Sequence, residues 1–441
     1  MSESFDLVIT GGTVVSTDGE TKTDVGVRDG RIAAVGDLRA SKGAEHLDAT
    51  GLHVLPGVID TQVHFREPGN EHKEDLATGT AAAALGGVTG IFEMPNTAPP
   101  TTTREAFADK MARAAGRARV DYAFFIGAAP GNIDDLATLE QLPGCSGIKL
   151  FMGSSTGNLL MADDDNIGRA LANGHRRMAV HAEDEPRLKE REALLSADSP
   201  AEMHPVWRDA ESARLATERL LRLARRYNRL VHVLHVSTGD EMVMLRKARD
   251  IATVETTPQH LTLFAPDCYR RLGNYARMNP PIRDESHRTA LWEAIADGTV
   301  DVIGSDHAPH TREEKDRPYI ESPSGMPGVQ TLVPIMLDHV NAGRLSLQRF
   351  VDLTSAGPAR IYRIANKGRI AEGFDADFTL VDLKAARRIE DSWIASRCGW
   401  TPFAGVTVTG WPKATILRGT PIMRDDELFG EPSGEPIQFS S

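Results

Sequence analysis

The chain predicts an α/β protein, a (β/α)8 barrel carrying a small β-sandwich built from both termini. Three observations lead there. Short apolar segments alternate with longer helical ones through the middle of the sequence, the pattern of a parallel sheet with crossover helices. Eight such segments can be counted, the number that closes a barrel. Both ends read instead as short β-rich segments broken by glycine turns. A length of 441 residues suits a large domain with a smaller one appended. The expected division is 1–55 plus 368–441 for the composite β-sandwich and 56–367 for the barrel.

The N-terminal strands are expected at 5–10, 13–16, 24–28, 31–35 and 53–55. Their β-branched texture returns at 378–382, 406–408 and 414–417, so the two ends should share one sheet structure. The barrel strands are expected at 55–59, 90–94, 122–127, 148–152, 178–181, 231–236, 252–256 and 302–305. Helices fit between them, as at 211–226, where Leu215, Leu220, Leu221 and Leu223 can bury one face. The loop 153–157 is rich in small residues and reads either as a lid or as a turn. No segment is of low complexity, and none repeats with a solenoid period.

Composition excludes several classes. A net charge of -12 gives no attraction to nucleic acid or to an anionic membrane, so any anionic ligand must be held by local positive groups. No run approaches the length of an apolar membrane span, and the start carries acidic residues where a secretory signal needs basic ones. Cys145, Cys268 and Cys398 are widely spaced and odd in number, as in a reducing compartment. A cytoplasmic protein is expected.

Chemistry-bearing residues recur at the carboxyl ends of different expected strands: His64 after the first, Lys149 in the fourth, His181 in the fifth, His235 in the sixth and Asp306 after the eighth. Catalytic groups of such barrels gather at that face. Imidazoles and a carboxylate suit a divalent ion such as zinc. Taken singly, each could be a hydrogen-bonded core residue; their joint placement favours a metal. Lys149 lies in an apolar strand, where desolvation disfavours its charge, and a neutral amine can capture CO2 as a carbamate. The alternative is a snorkelling or salt-bridged lysine.

Longer phrases give these residues a context. His64-Phe65-Arg66-Glu67-Pro68-Gly69, Met94-Pro95-Asn96-Thr97, Gly147-Ile148-Lys149-Leu150, His181-Ala182-Glu183, His235-Val236-Ser237, Asn279-Pro280-Pro281 and Gly304-Ser305-Asp306-His307-Ala308-Pro309-His310 run in order over nearly the whole chain. In this the chain resembles the dihydroorotases of the amidohydrolase superfamily, which interconvert N-carbamoyl-L-aspartate and L-dihydroorotate in pyrimidine synthesis. The resemblance implies a TIM-type barrel, zinc, a carboxylated Lys149, and metal ligation by His64, Lys149, His181, His235 and Asp306. It gives Asp306 the acid/base role on a metal-activated water. It assigns Arg66, Asn96 and His310 to the substrate carboxylate, Asn279 to the ring, and Ser324 and Gly325 to backbone contacts with the ring. Without that context, Arg66 could be a surface salt bridge, Asn96 a turn residue, His310 a helix cap, and Asn-Pro-Pro a rigid turn.

One position departs from the pattern. Such barrels open with His-x-His, and here the first place is Gln62. Its carbonyl oxygen is a weak zinc ligand. One firmly bound zinc is therefore expected, with a second held weakly or not at all. The rivals are a hydantoinase, dihydropyrimidinase or allantoinase, and a non-catalytic scaffold for aspartate carbamoyltransferase. A homodimer is expected from the resemblance alone.

Overall fold

A computed structural model describes residues 4–39, 41, 45–155 and 159–440. Its central feature is a parallel sheet of eight strands, Val58–Val63, Val88–Glu93, Asp121–Gly127, Cys145–Phe151, Met178–His181, Val231–Val233, Ala252–Thr256 and Val302–Ile303, paired in that sequence. The last strand returns beside the first. Val63 bridges His307, the His64 N–H donates to the His307 carbonyl at 2.7 Å, and the Ser305 N–H donates to Asp60 Oδ1 at 2.9 Å. The result is a nearly closed TIM-type barrel, as expected from the alternation of segments.

The first strand is displaced from its expected place. The apolar run at 54–59 is divided by Gly57: His53–Pro56 joins a sheet built by the termini, and Val58–Val63 opens the barrel. A Cβ on Gly57 would collide with the Thr89 hydroxyl and with Asp377, so the chain passes between the two sheets at a residue without a side chain. Hydrophobicity does not mark the break because both halves are buried. The sixth strand is also shorter than expected, stopping at Val233 so that His235 follows it at φ 38°.

Two further sheets hold the termini. One pairs Arg31–Gly36, Asp24–Arg28, Leu7–Thr10 and Glu45–Asp48. The other runs Glu427–Leu428, Thr420–Arg424, Thr407–Leu417, Phe378–Arg388, His53–Pro56, Thr13–Ser16 and Gly19–Lys22, so strands from both ends do share one sheet. Leu7, Ile9, Val25 and Leu47 of the first pack with Val54, Phe378, Leu380 and Ile416 of the second. The sequence reading passes over Gly19–Lys22 and Glu45–Asp48, whose mostly polar, exposed side chains, Leu47 apart, give no apolar alternation. Beyond the sheets, Ile437 donates its N–H to Tyr122 O at 2.8 Å and packs with Ile59, Phe92 and Phe125 beneath the barrel.

The helix expected at 211–226 forms as Ala210–Arg226, its first turn capped by the Asp209 carboxylate accepting from Ser212 N–H. Its buried face is Ala213, Ala216, Leu220, Leu221 and Leu223; Leu215 is only half-buried. Among the described residues no helix is long and apolar enough to cross a membrane. In the loop 153–157, Thr156 and Gly157 lie outside the described residues. Ser154 donates its N–H to Glu185 at 2.6 Å.

Candidate active site

At the carboxyl ends of the barrel strands the candidate residues converge. Gln62, His64, Arg66, Asn96, Lys149, His181, His235, Asn279, Asp306, Ser324 and Gly325 line one narrow cavity, with Phe151, Ser155 and Ala308. His310 stands immediately behind Arg66, 3.1 Å from its guanidinium. Arg66, His235 and Asp306 all have left-handed backbone angles, φ 65°, 38° and 46°. Such strain in non-glycine residues persists where the surrounding structure over-determines it, and it concentrates at functional sites.

Lys149 is fully buried, and its Nζ has no hydrogen-bond partner. Burial pulls its ammonium down to about 7 despite the opposing charges of Asp306 and Glu255. It lies over the Phe151 ring, 4.6 Å from the ring centre. Beside it, His181 Nδ1 and His235 Nε2 face each other at 3.1 Å. Two nitrogen donors on one tetrahedral zinc, each with a bond of about 2.0–2.1 Å, stand roughly 3.3 Å apart, so this pair is spaced for a shared ion. Burial drives both imidazoles to the neutral form in which a ring nitrogen can ligate.

Across the cavity, His64 Nδ1 lies 2.8 Å from Asn96 Oδ1, and its Nε2 lies 3.2 Å from Asp306 Oδ1. Burial pushes His64 down to about 4, against the pull of Asp306, so the ring is neutral. With Nδ1–H given to the amide oxygen, a lone pair on Nε2 faces a carboxylate oxygen. That is repulsive unless a cation lies between them. Gln62 Nε2 donates to the same Asp306 oxygen at 3.0 Å, while Gln62 Oε1 is buried without a partner.

Among the described residues no three His, Cys, Asp or Glu side chains form a group able to hold an ion. The donors come as two pairs, His181 with His235 and His64 with Asp306. Lys149, once carboxylated, could supply a third donor to either pair, and the Gln62 carbonyl oxygen a weaker one beside His64 and Asp306. The unpartnered Lys149 Nζ and the spacing of the two facing imidazole nitrogens fit that arrangement.

The expected carboxylate grip is buried. Arg66 is 3% exposed; its Nε donates to Pro309 O at 3.1 Å, and no carboxylate among the described residues comes within ion-pair distance. It is not a surface salt bridge. Burial pulls Arg66 down to about 10, which leaves it charged at neutral pH. His310 Nε2 lies 3.0 Å from Ser324 O, and its Nδ1 lies 3.1 Å from Lys73 Nζ. The following helix, Arg312–Lys315, is capped by Thr311, so His310 is not a cap.

The loop expected to meet the ring already has partners within the protein. Gly325 spends its N–H on Arg277 O at 2.8 Å and its carbonyl on Lys315 Nζ at 3.0 Å, and the Ser324 carbonyl faces His310. These groups are already used in holding the loop over the mouth. Asn279 lines the cavity, with its Oδ1 3.1 Å from His204 Nε2.

The sequence reading passes over a polar layer below the cavity. Asp60 Oδ1 accepts from Gln62 N–H at 3.2 Å and from Ser305 N–H at 2.9 Å, which fixes the ends of strands one and eight against each other and sets the approach of Asp306. Glu255 accepts from Thr61 Oγ1 at 2.5 Å and lies 3.4 Å from His232 Nε2. Burial pushes Asp60 up to about 7 and Glu255 up to about 8. A charged residue inside each apolar strand was the available signal.

Residues 53–422 match the Amidohydrolase family. The chain belongs to that family. It is 39% identical over 419 residues to a dihydroorotase of Halobacterium salinarum, covering 94% of this chain and 96% of that protein. It is 36% identical to an allantoinase of Solibacter usitatus, covering 98% and 97%. Among solved structures, the L-hydantoinase (dihydropyrimidinase) of Arthrobacter aurescens superposes with a TM-score of 0.93 at 31% identity, covering 98% of this chain and all of that one.

Proposed function

We propose that this chain is a dihydroorotase, closing N-carbamoyl-L-aspartate to L-dihydroorotate and opening the ring in reverse. The observation that carries the reading is Arg66. A guanidinium buried at the cavity wall without a carboxylate partner is costly, and a carboxylate-bearing substrate supplies the missing charge. Dihydroorotate carries such a group; hydantoin, dihydrouracil and allantoin do not. Several relatives at 34–39% identity are named dihydroorotases, which supports the same choice.

The family is generally metal-dependent, and we take zinc as the metal and Lys149 as carboxylated. When bound, the ion acidifies a water and polarises the amide carbonyl. Lys149, His181 and His235 would hold it. Asp306 would take the proton from the attacking water and pass it to the leaving ring nitrogen, and in the biosynthetic direction would run the transfer backwards. Arg66, Asn96 and His310 would orient the carboxylate so that the scissile amide faces Asp306. We also take the protein to be cytoplasmic and homodimeric.

Hydrolysis of dihydroorotate, hydantoin and allantoin, each assayed with added zinc and with added manganese, tests the reading. Dihydroorotate is expected to be the preferred substrate by kcat/KM. Preference for either neutral ring would replace this reading with a hydantoinase or allantoinase, and absence of turnover on all three would favour a scaffold.

A further inference from the structure

One ring nitrogen of His310 meets two opposed demands. Its Nε2 lies 3.0 Å from the Ser324 carbonyl oxygen, a bond that needs a hydrogen on the ring, and 3.1 Å from Arg66 Nη2, a bond that needs a bare nitrogen. Only one of them can form at a time. Where the ring carries its proton decides whether His310 holds the loop at Ser324 or covers part of Arg66. The ring is packed hard against that loop, since a Cβ on Gly325 would come within 3.0 Å of Nε2.

The other ring nitrogen decides the matter. His310 Nδ1 lies 3.1 Å from Lys73 Nζ, whereas Glu314 Oε2 stands at 3.7 Å, beyond hydrogen-bond reach. Lys73 Nζ is 3.0 Å from Glu314 Oε1; burial lowers this lysine, and the carboxylate opposes the shift. An ammonium can only donate, so Nδ1 must accept and the hydrogen belongs on Nε2. Burial and the charge of Arg66 hold His310 well below the ordinary imidazole value, which leaves no second proton on the ring. Lys73 is not a loose surface lysine. Its side chain is 14% exposed, its N–H closes a turn on Asn70 O at 2.9 Å, and Glu314 is itself fixed by accepting the Thr311 N–H at 3.1 Å.

We propose that Lys73 is a positioning residue that fixes His310 as the Nε2–H tautomer. The ring then donates to Ser324 and cannot accept from Arg66, whose Nη2 hydrogens stay available at the cavity wall. Without Lys73, Nδ1 can take the hydrogen; Nε2 then accepts from Arg66 and repels the Ser324 carbonyl. The step from tautomer to substrate rests on the dihydroorotase reading, whereas the tautomer itself does not.

Nuclear magnetic resonance of the full chain with isotope-labelled histidine rings reads the tautomer without substrate, the His310 signals being assigned by their loss in His310→Gln. The parent is expected to show a bare Nδ1 and a protonated Nε2. Lys73→Met should move the hydrogen to Nδ1, wholly or in part, while the other histidine signals report that the fold is kept; Lys73→Arg should retain the parent tautomer. In kinetics, Lys73→Met should raise KM for dihydroorotate about tenfold while kcat falls less than about threefold, and Lys73→Arg should recover most of the loss. A Lys73–Glu314 pair that only steadied the helix Arg312–Lys315 would lower stability in Lys73→Met without moving the proton. Nδ1–H in the parent, or one tautomer shared by the parent and Lys73→Met, would overturn the proposal. If the proton moves as expected but the parent does not turn over dihydroorotate, the role of Lys73 on the ring stands and the dihydroorotase reading falls.

Discussion

Gln62 makes the mouth of this barrel asymmetric. Its amide N–H already rests on the Asp306 oxygen that faces His64, partly supplying the positive charge a cation would otherwise bring. A second ion must compete with that hydrogen bond and accept, at best, a carbonyl oxygen where a ring nitrogen would bind more firmly. Gln62→His removes the competitor and adds a nitrogen. Elemental analysis after mild chelation is expected to find about one ion per chain in the parent and closer to two in the variant. Equal metal content in both would remove Gln62 from this role. Asn96 behaves in a related way, since its Oδ1 on His64 Nδ1 sets which ring nitrogen faces Asp306.

At the scale of strands and helices, the positions of the site residues follow from where each strand stops. His64, Lys149, His181, His235 and Asp306 were legible because each polar residue interrupts or ends an apolar run, and eight such runs have one geometric solution. Less legible were the boundaries. A continuous apolar run conceals the passage at Gly57, and Gly410 and Pro412 interrupt the pattern of Thr407–Leu417, which hydrogen bonds nevertheless carry through as one strand. A motif does not reveal the internal partners of the loop at Ser324 and Gly325, whose carbonyls and one N–H meet His310, Arg277 and Lys315. Asp60 and Glu255 escaped notice because a lone carboxylate in a strand does not reveal which atoms will surround it.

Helix Leu332–Asn341 offers a test of buried histidines away from the site. His339 lies 2.8 Å from the Thr262 hydroxyl, and burial, helped by Arg344 and Arg288, pushes it down to about 3. A group depressed on folding contributes stability above its unfolded value near 6.5 and loses it as pH falls toward the folded value. Glu255, pushed up to about 8, has the opposite sign and flattens the profile of the whole protein. The comparison with His339→Gln isolates the one residue. Denaturant unfolding at pH 7, 6 and 5 should show the parent losing up to about 1.4 kcal/mol per pH unit relative to the variant. A constant difference would contradict neutral burial of His339.

Across the whole molecule, the terminal sheets and the barrel are joined by buried charge as well as by apolar contact. Lys367 Nζ meets Asp121 at 2.6 Å, Asp375 at 2.9 Å and Asp377 at 2.5 Å, linking the third barrel strand to the approach of Phe378–Arg388. Burial alone would lower Lys367, but the three carboxylates hold it well above the ordinary lysine value. Lys367→Met leaves Asp377 buried without a charged partner, while Asp121 and Asp375 keep Arg418 and Arg31, and should cost about 3–5 kcal/mol. Urea unfolding checks this, and a loss below about 1 kcal/mol would show that the cluster is solvated and weak. The C-terminal tail beneath the barrel was not legible in advance, because its few apolar residues carry no periodic signal.

The central claim is that the buried guanidinium at the mouth selects a carboxylate on the ring. The most direct measurement is the ratio of kcat/KM for dihydroorotate to that for dihydrouracil, in the parent and in Arg66→Gln. The expected result is a strong preference for dihydroorotate in the parent that falls about a hundredfold or more in the variant, with dihydrouracil turnover little changed. A ratio that is the same in both proteins would contradict the claim.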